Sequence, residues 1–238
     1  MIFSDSAIVL FRQDFRENDR IVSFYTKEHG RINARVPGVS RPLGKMKAFT
    51  ELFSSTEVRI YVKRGGVMGT VTGGKIKTIY PAVRRDLKRI QHALYCCELL
   101  RCLTPLHQPS TEKFELLSSA LDALEKAPVS SAFVPAFTLR LMMLAGFGLD
   151  RPVLKISPQF WQQIHEAPFE ELNFSAPEDL LFLSKCNSVC RRFLDRYLTR
   201  PLNTVKDIGL TEWETDFVHA TQETVYMEET TPVLQPVH

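Results

Sequence analysis

The sequence predicts an α+β chain: a small β-barrel or sandwich over residues 1–80, a mainly α-helical domain over 81–206, and an acidic C-terminal tail over 207–238. Three observations carry this reading. Before Pro81 the apolar residues fall in short β-branched runs or alternate with a period of two, the spacing of a strand with one buried face. After Pro81 they recur every three or four residues, the spacing of a helix. The charge also changes sign. Residues 1–92 hold 18 Lys or Arg against 8 Asp or Glu, while residues 93–238 hold 12 against 19, so the net +3 conceals a basic first third.

In chain order, Ala7 to Phe11 and Ile21 to Thr26 are β-branched, apolar runs that read as the first two strands. His29-Gly30 is a turn. Arg31 to Val36 then alternates strictly, placing Ile32, Ala34 and Val36 on one face and Arg31, Asn33 and Arg35 on the other, until Pro37-Gly38 ends the strand. Glu57 to Val62 and Val67 to Thr72 flank Lys63-Arg64-Gly65-Gly66 as a hairpin. Beyond Pro81, Leu87, Ile90, Leu94, Cys97 and either Leu100 or Arg101 keep helical spacing, and Pro105 stops the run. Ser110 caps a second helix through Phe114, Leu117, Leu121 and Leu124, ended by Pro128. A third, strongly apolar helix spans Ala132 to Gly146. Residues 150–175, with Pro152, Pro158 and Pro168, read as loop-rich. Ser175 followed by Glu178 forms a capping-box pattern that opens a last helix from about Pro177 to Leu198.

Composition excludes several classes. With 44% hydrophobic and 24% charged residues, the chain is neither disordered, collagenous nor a coiled coil. No apolar run approaches the ~18 residues of a membrane span, and Ala7 to Phe11 is too short for a signal-peptide core. Five cysteines, an odd number with Cys96 and Cys97 adjacent, do not suit a secreted disulfide framework, so a reduced, cytoplasmic protein is expected. The stretch Gly38 to Lys45 fails as a phosphate loop, with five residues between its glycines and Met46 where a hydroxyl is needed. Cys186 and Cys190 share a helical face with no nearby His, and core packing is the reading for them and for Cys96, Cys97 and Cys102. No nucleophile elbow or His-Glu-x-x-His pattern occurs, so neither catalytic residue nor cofactor is expected.

The basic residues carry the functional signal. Arg12, Arg16, Arg20, Lys27, Arg31, Arg35, Arg41, Lys45 and Lys47 recur among Phe11, Phe15, Phe24, Tyr25 and Phe49. Cations bind phosphates, and exposed rings stack bases without regard to sequence. Phe11, Phe24 and Phe49 are read as core. The Arg31/Arg35 face is either a solvated strand face or a phosphate-binding one. Arg41 to Lys47 reads as an exposed basic loop able to track a backbone. Arg84, Arg85, Lys88 and Arg89 are spaced to put most of the cluster on one helical face, and together these groups could line a continuous groove.

Three segments, Ala7-Ile-Val-Leu-Phe-Arg12, the run from Glu17 to Arg31, and Pro37-Gly38-Val39-Ser40-Arg41, resemble the opening of the bacterial RecO family of DNA repair proteins. The likeness continues through Leu139 to Gly148 and Arg192 to Leu202. It implies an N-terminal OB-fold barrel followed by a helical domain, in agreement with the division above. It further implies a non-enzymatic, nucleoid-associated mediator that binds single- and double-stranded DNA and anneals complementary strands. Implied partners are RecR, the C-terminal tail of the single-strand DNA-binding protein, and RecA indirectly. On this reading DNA meets Arg12, Arg16, Arg31, Arg35, Arg41, Lys45 and Lys47, with Arg84, Arg85, Lys88, Arg89, Arg191 and Arg192 extending the path. The partner's acidic, apolar-ended tail needs an apolar floor with a cationic rim, which Arg140, Leu141, Leu144 and Phe147 supply, although core packing explains the apolar ones equally. Many members carry a four-cysteine zinc motif after the glycine matched by Gly148. Here Leu149-Asp150-Arg151-Pro152 follows, so no metal is expected. Members often carry basic residues on the third strand where Asn33 and Pro37 stand. A structural RNA-binding or assembly protein built on the same barrel is the alternative.

Overall fold

The computed structural model describes residues 1–40, 45–66, 68–147, 155–198 and 201–205. Five strands form: β1 (Ile2–Phe15), β2 (Asp19–Thr26), β3 (Gly30–Val36), β4 (Ser55–Val62) and β5 (Gly69–Thr78). They close into a barrel in the order β1-β2-β3-β5-β4, which is the OB-type arrangement. One long strand makes closure possible. The first half of β1 pairs with β4, from Ile2↔Tyr61 to Ile8↔Ser55, and the second half with β2, from Ala7↔Thr26 to Phe15↔Asp19. A bulge between Val9 and Phe11 bends the strand between its two partners. The seam between β3 and β5 is parallel and short, at Ala34↔Gly69 and Arg35↔Thr70.

The alternation read in β3 holds residue by residue: Gly30, Ile32, Ala34 and Val36 are buried, and Arg31, Asn33 and Arg35 are not. Ile32, Ala34 and Val36 join Ala7, Val9, Val22, Phe24, Val58, Ile60 and Val71 in the barrel core. Burying each of the Val, Ile and Phe side chains among them contributes about 1.5–3 kcal/mol. Phe24 and Phe49 are core as expected, but Phe11 is not: it is 38% exposed, and the Arg101 guanidinium lies over its ring at 4.4 Å. The bulge skips Leu10 and sets Phe11 opposite Ser23, outside the barrel core, which leaves Phe11 on the surface.

Two helices, α1 (Leu87–Leu103) and α2 (Thr111–Lys126), pack on each other, and α1 packs on β1. Asp86 caps α1 by accepting from Arg89 N, and Ser110 caps α2 by accepting from Lys113 N. The chain divides into two compact units, residues 1–129 with 168–170, and residues 130–167 with 171 onward. The change of period at Pro81 therefore marks a change of element type, while α1 and α2 belong to the same compact unit as the barrel. In the other unit α3 (Phe133–Leu144) packs on α4 (Pro158–Glu166) and α5 (Pro177–Tyr197).

Four expectations need correction. The segment read as loop-rich contains α4, because Ser157 caps it and Pro158 sits at its first turn, a helix-start signal in a proline-rich text. Ser175 is not a cap: the residue before the last helix is Ala176, which makes no side-chain cap bond. Arg84 and Arg85 lie in a 3-10 turn, Val83–Arg85, broken from α1 by extended Asp86, so the four-residue basic cluster does not share one helical face. Part of the supposed basic loop is a 3-10 helix, Lys45–Thr50. Arg41, the stretch 148–152 from Gly148 to Pro152 and the acidic tail lie outside the described residues.

Candidate nucleic-acid interface

The cations of the barrel unit divide by what their side chains already hold. Arg12 donates to Thr50 O at 3.2 Å and pairs with Glu51 at 3.2 Å. Arg20 pairs with Asp14 at 2.7 Å and donates to Thr50 Oγ1. Arg84 donates to Ile79 O, to Leu52 O at 2.7 Å and to Ser54 Oγ at 3.1 Å. Together these three pin the 50–54 segment that follows the 3-10 helix. Arg89 donates to Leu124 O and Glu125 O, satisfying carbonyls at the C-terminus of α2. Glu125 in turn accepts from Ala82 N and Val83 N. Burial pulls the Arg84 guanidinium below its usual range, against the opposing influence of Glu51.

On β3 the outward arginines are also engaged. Arg31 Nε donates to Thr104 O at 2.8 Å, and its own carbonyl accepts from His107 N at 2.9 Å. Desolvation is the main influence lowering its ionisation, followed by the neighbouring Arg101 charge. Arg35 lies 3.5 Å from Asp19. Tyr25, outward on β2, is buried and donates to Ser110 O at 3.4 Å. The 104–110 connection thus covers one end of the β2–β3 face, the face on which OB folds commonly receive a strand. Asn33 and Arg35 remain at the other end.

Of the other expected cations, those whose side chains are described are exposed. Arg16 is exposed in the β1–β2 turn, over the Phe15 ring at 5.1 Å. Lys47 is exposed on the 3-10 helix that Lys45 opens, and Arg85 and Lys88 are exposed beside the start of α1. Arg191 and Arg192 are exposed on α5, in the other compact unit. Sequence reasoning passed over a further set. Arg59, Lys63, Arg64, Lys75 and Lys77 are exposed on β4, β5 and their hairpin, beside Tyr61, which is 43% exposed. The signal was there in the period-two run Glu57, Arg59, Tyr61, whose intervening residues Val58 and Ile60 are fully buried.

The expected partner site fares differently. Arg140 is turned inward, donating to Ile164 O at 2.9 Å and Ala167 O at 2.6 Å, and burial lowers its pKa to about 10. Leu141 is fully buried, and the Phe147 ring packs on Phe193 and Tyr197 at 5.0 and 4.7 Å. Leu144 is exposed, next to exposed Met143. Cys186 and Cys190 are buried on one face of α5, and burial pushes the Cys186 thiol up to about 12. Among the described residues no group of three or more His, Cys, Asp or Glu could hold a metal ion, and no helix is long and apolar enough to cross a membrane.

Comparison with known proteins adds an independent line. Residues 1–80 match the family model described as recombination protein O N terminal, and residues 84–151 the one described as recombination protein O C terminal. The DNA repair protein RecO of Pelobacter propionicus is 38% identical over 149 residues, covering 63% of this chain and 59% of that one. Its counterpart in Pelotomaculum thermopropionicum is 34% identical over 146 residues, 61% and 56% of the two chains. That of Myxococcus xanthus is 35% identical over 144 residues, 60% and 59%. The chain thus matches somewhat over half the length of these relatives.

Proposed function

The chain belongs to the recombination protein O family of DNA repair proteins, and from that premise we propose that it is a mediator of homologous recombination rather than an enzyme. It binds single- and double-stranded DNA, anneals complementary strands and, with RecR and the single-strand DNA-binding protein, helps load RecA. The observation that supports this most is the division among the barrel cations. Arg12, Arg31, Arg84 and Arg89 are held by carbonyls or carboxylates, while Arg16, Lys47, Arg85 and Lys88 face solvent. Such outward cations bind phosphates of any sequence and release counterions as they do so. Arg35, Arg41 and Lys45 complete the proposed phosphate track, and Arg191 and Arg192, in the other compact unit, are proposed as separate DNA contacts. The tail of the single-strand DNA-binding protein is assigned to the exposed apolar surface that Leu144 shares with Met143.

The test is annealing of complementary oligonucleotides coated with single-strand DNA-binding protein, across a salt series without zinc or nucleotide. Acceleration that fades at high salt is expected. Replacing Arg41, Lys45 and Lys47 with alanine should weaken binding to all sequences. The salt slope should drop by about 0.7 for each single-strand phosphate that the variant no longer neutralises. Tighter binding to folded RNA than to single-stranded DNA would favour the RNA-binding alternative instead.

A further inference from the structure

One mouth of the barrel is left open. Between the start of β1, the β2–β3 turn and the end of β4 lies a cleft of about 620 Å³. That is within the roughly 300–1,000 Å³ of sites that enclose small ligands. Phe3, Ile32 and Val62 make its apolar walls, and His29 and His107 border it.

One wall is a preformed ring stack. The Phe3 and His29 rings lie 3.9 Å apart at 22°, and His29 Nδ1 is held 2.8 Å from Asp5 Oδ2. Asp5 is itself buried and also accepts from Glu28 N at 3.0 Å, so the imidazole cannot swing freely. The rim is cationic. Lys63 and Arg64 stand exposed on a tight turn closed by Gly66 N donating to Lys63 O at 2.8 Å. Gly65 takes φ +73° there, a conformation suited to glycine, and the two glycines leave the rim without side chains that would block approach. Beside the cleft, exposed Tyr61 pairs with Ile2, and exposed Arg59 follows two residues away on the same face.

A flat group joined to an anion matches apolar walls beside a cationic rim. We propose that the cleft receives one unstacked base of a single strand, with Lys63 and Arg64 on the flanking phosphates and Tyr61 as the next stacking surface. This rests on the DNA-binding reading above and adds the place where a base leaves the stack. Aromatic platforms beside cations hold successive bases without reading their sequence. A duplex keeps its bases inside and offers the cleft nothing to enclose.

The test uses the full chain and a short thymine strand carrying photoreactive 5-iododeoxyuridine. Irradiation should attach the strand to peptides containing Phe3, His29 or His107. The double variant Lys63→Glu/Arg64→Glu, at an exposed turn, should lose that attachment and bind the strand about tenfold more weakly. Attachment only outside the cleft, with affinity intact, would overturn the assignment. So would a double variant that binds and cross-links like the original chain. If no strand binds at all, it is the DNA-binding reading that has failed.

Discussion

Arginine does two kinds of work in the barrel unit, and the side chain's partners separate them. A guanidinium that serves three acceptors, as Arg84 does for Ile79 O, Leu52 O and Ser54 Oγ, fixes the path of the chain. Arg84→Ala leaves those acceptors without their charged donor and should cost about 2–3 kcal/mol in chemical denaturation. Arg84→Lys should restore little, since an ammonium lacks the fork that reaches several carbonyls. Lys47→Ala is the converse, leaving the unfolding midpoint in place while weakening DNA binding measured by anisotropy. Tyr25 gives a pH signature. Burial, with Glu112 next, raises its phenol from 10.0 to about 12, so the folded chain holds that proton more tightly than the unfolded one. The corresponding stability is fully present below about pH 10 and drains away as pH rises toward 12. Urea midpoints across that range should fall, and Tyr25→Phe should flatten part of the fall.

Elements were legible where local rules and packing agree. The strict alternation of Arg31 to Val36 became β3 with the expected faces, since a one-residue slip would have exposed Ile32, Ala34 and Val36. Ser110 was legible as a cap because the serine, the helix and its apolar stripe coincide. The same grammar misled twice. Ser175 with Glu178 had the spacing of a capping box, yet the helix starts from Ala176. Ser157-Pro158 was passed over because three prolines in one stretch read as loop, although a proline is welcome in a first turn. Ser157→Ala should cost about 1 kcal/mol, measurable in the unfolding of the helical unit. Gly30 belongs to this scale too. It sits at φ +70°, and a Cβ there would lie 2.2 Å from Gln108 O. Gly30→Ala should therefore destabilise by more than about 1 kcal/mol and loosen the 104–110 connection from β3.

For the whole chain, the basic first third is the property most open to measurement. Residues 1–92 hold 18 cations against 8 acids, and long-range steering of a polyanion depends on that excess. Association with single strands should accelerate at low salt and slow steeply as salt screens the field. A stopped-flow rate indifferent to salt would count against a phosphate-based interface. What the sequence determined alone was the change from strands to helices at Pro81, the faces of β3, the sign of each region's charge and the family likeness. These are local or compositional, and each residue carries its share without reference to the rest. What only the tertiary structure decided was which cations are spent on the fold. Leu52 O, Leu124 O and Thr104 O, which hold Arg84, Arg89 and Arg31, lie 32, 35 and 73 residues away in the chain. The open barrel mouth likewise joins Phe3, His29, Val62 and His107, which no local pattern brings together. Side-chain type announces what a residue can bind, but the partner it meets is set by closure of the barrel and the packing of its helices.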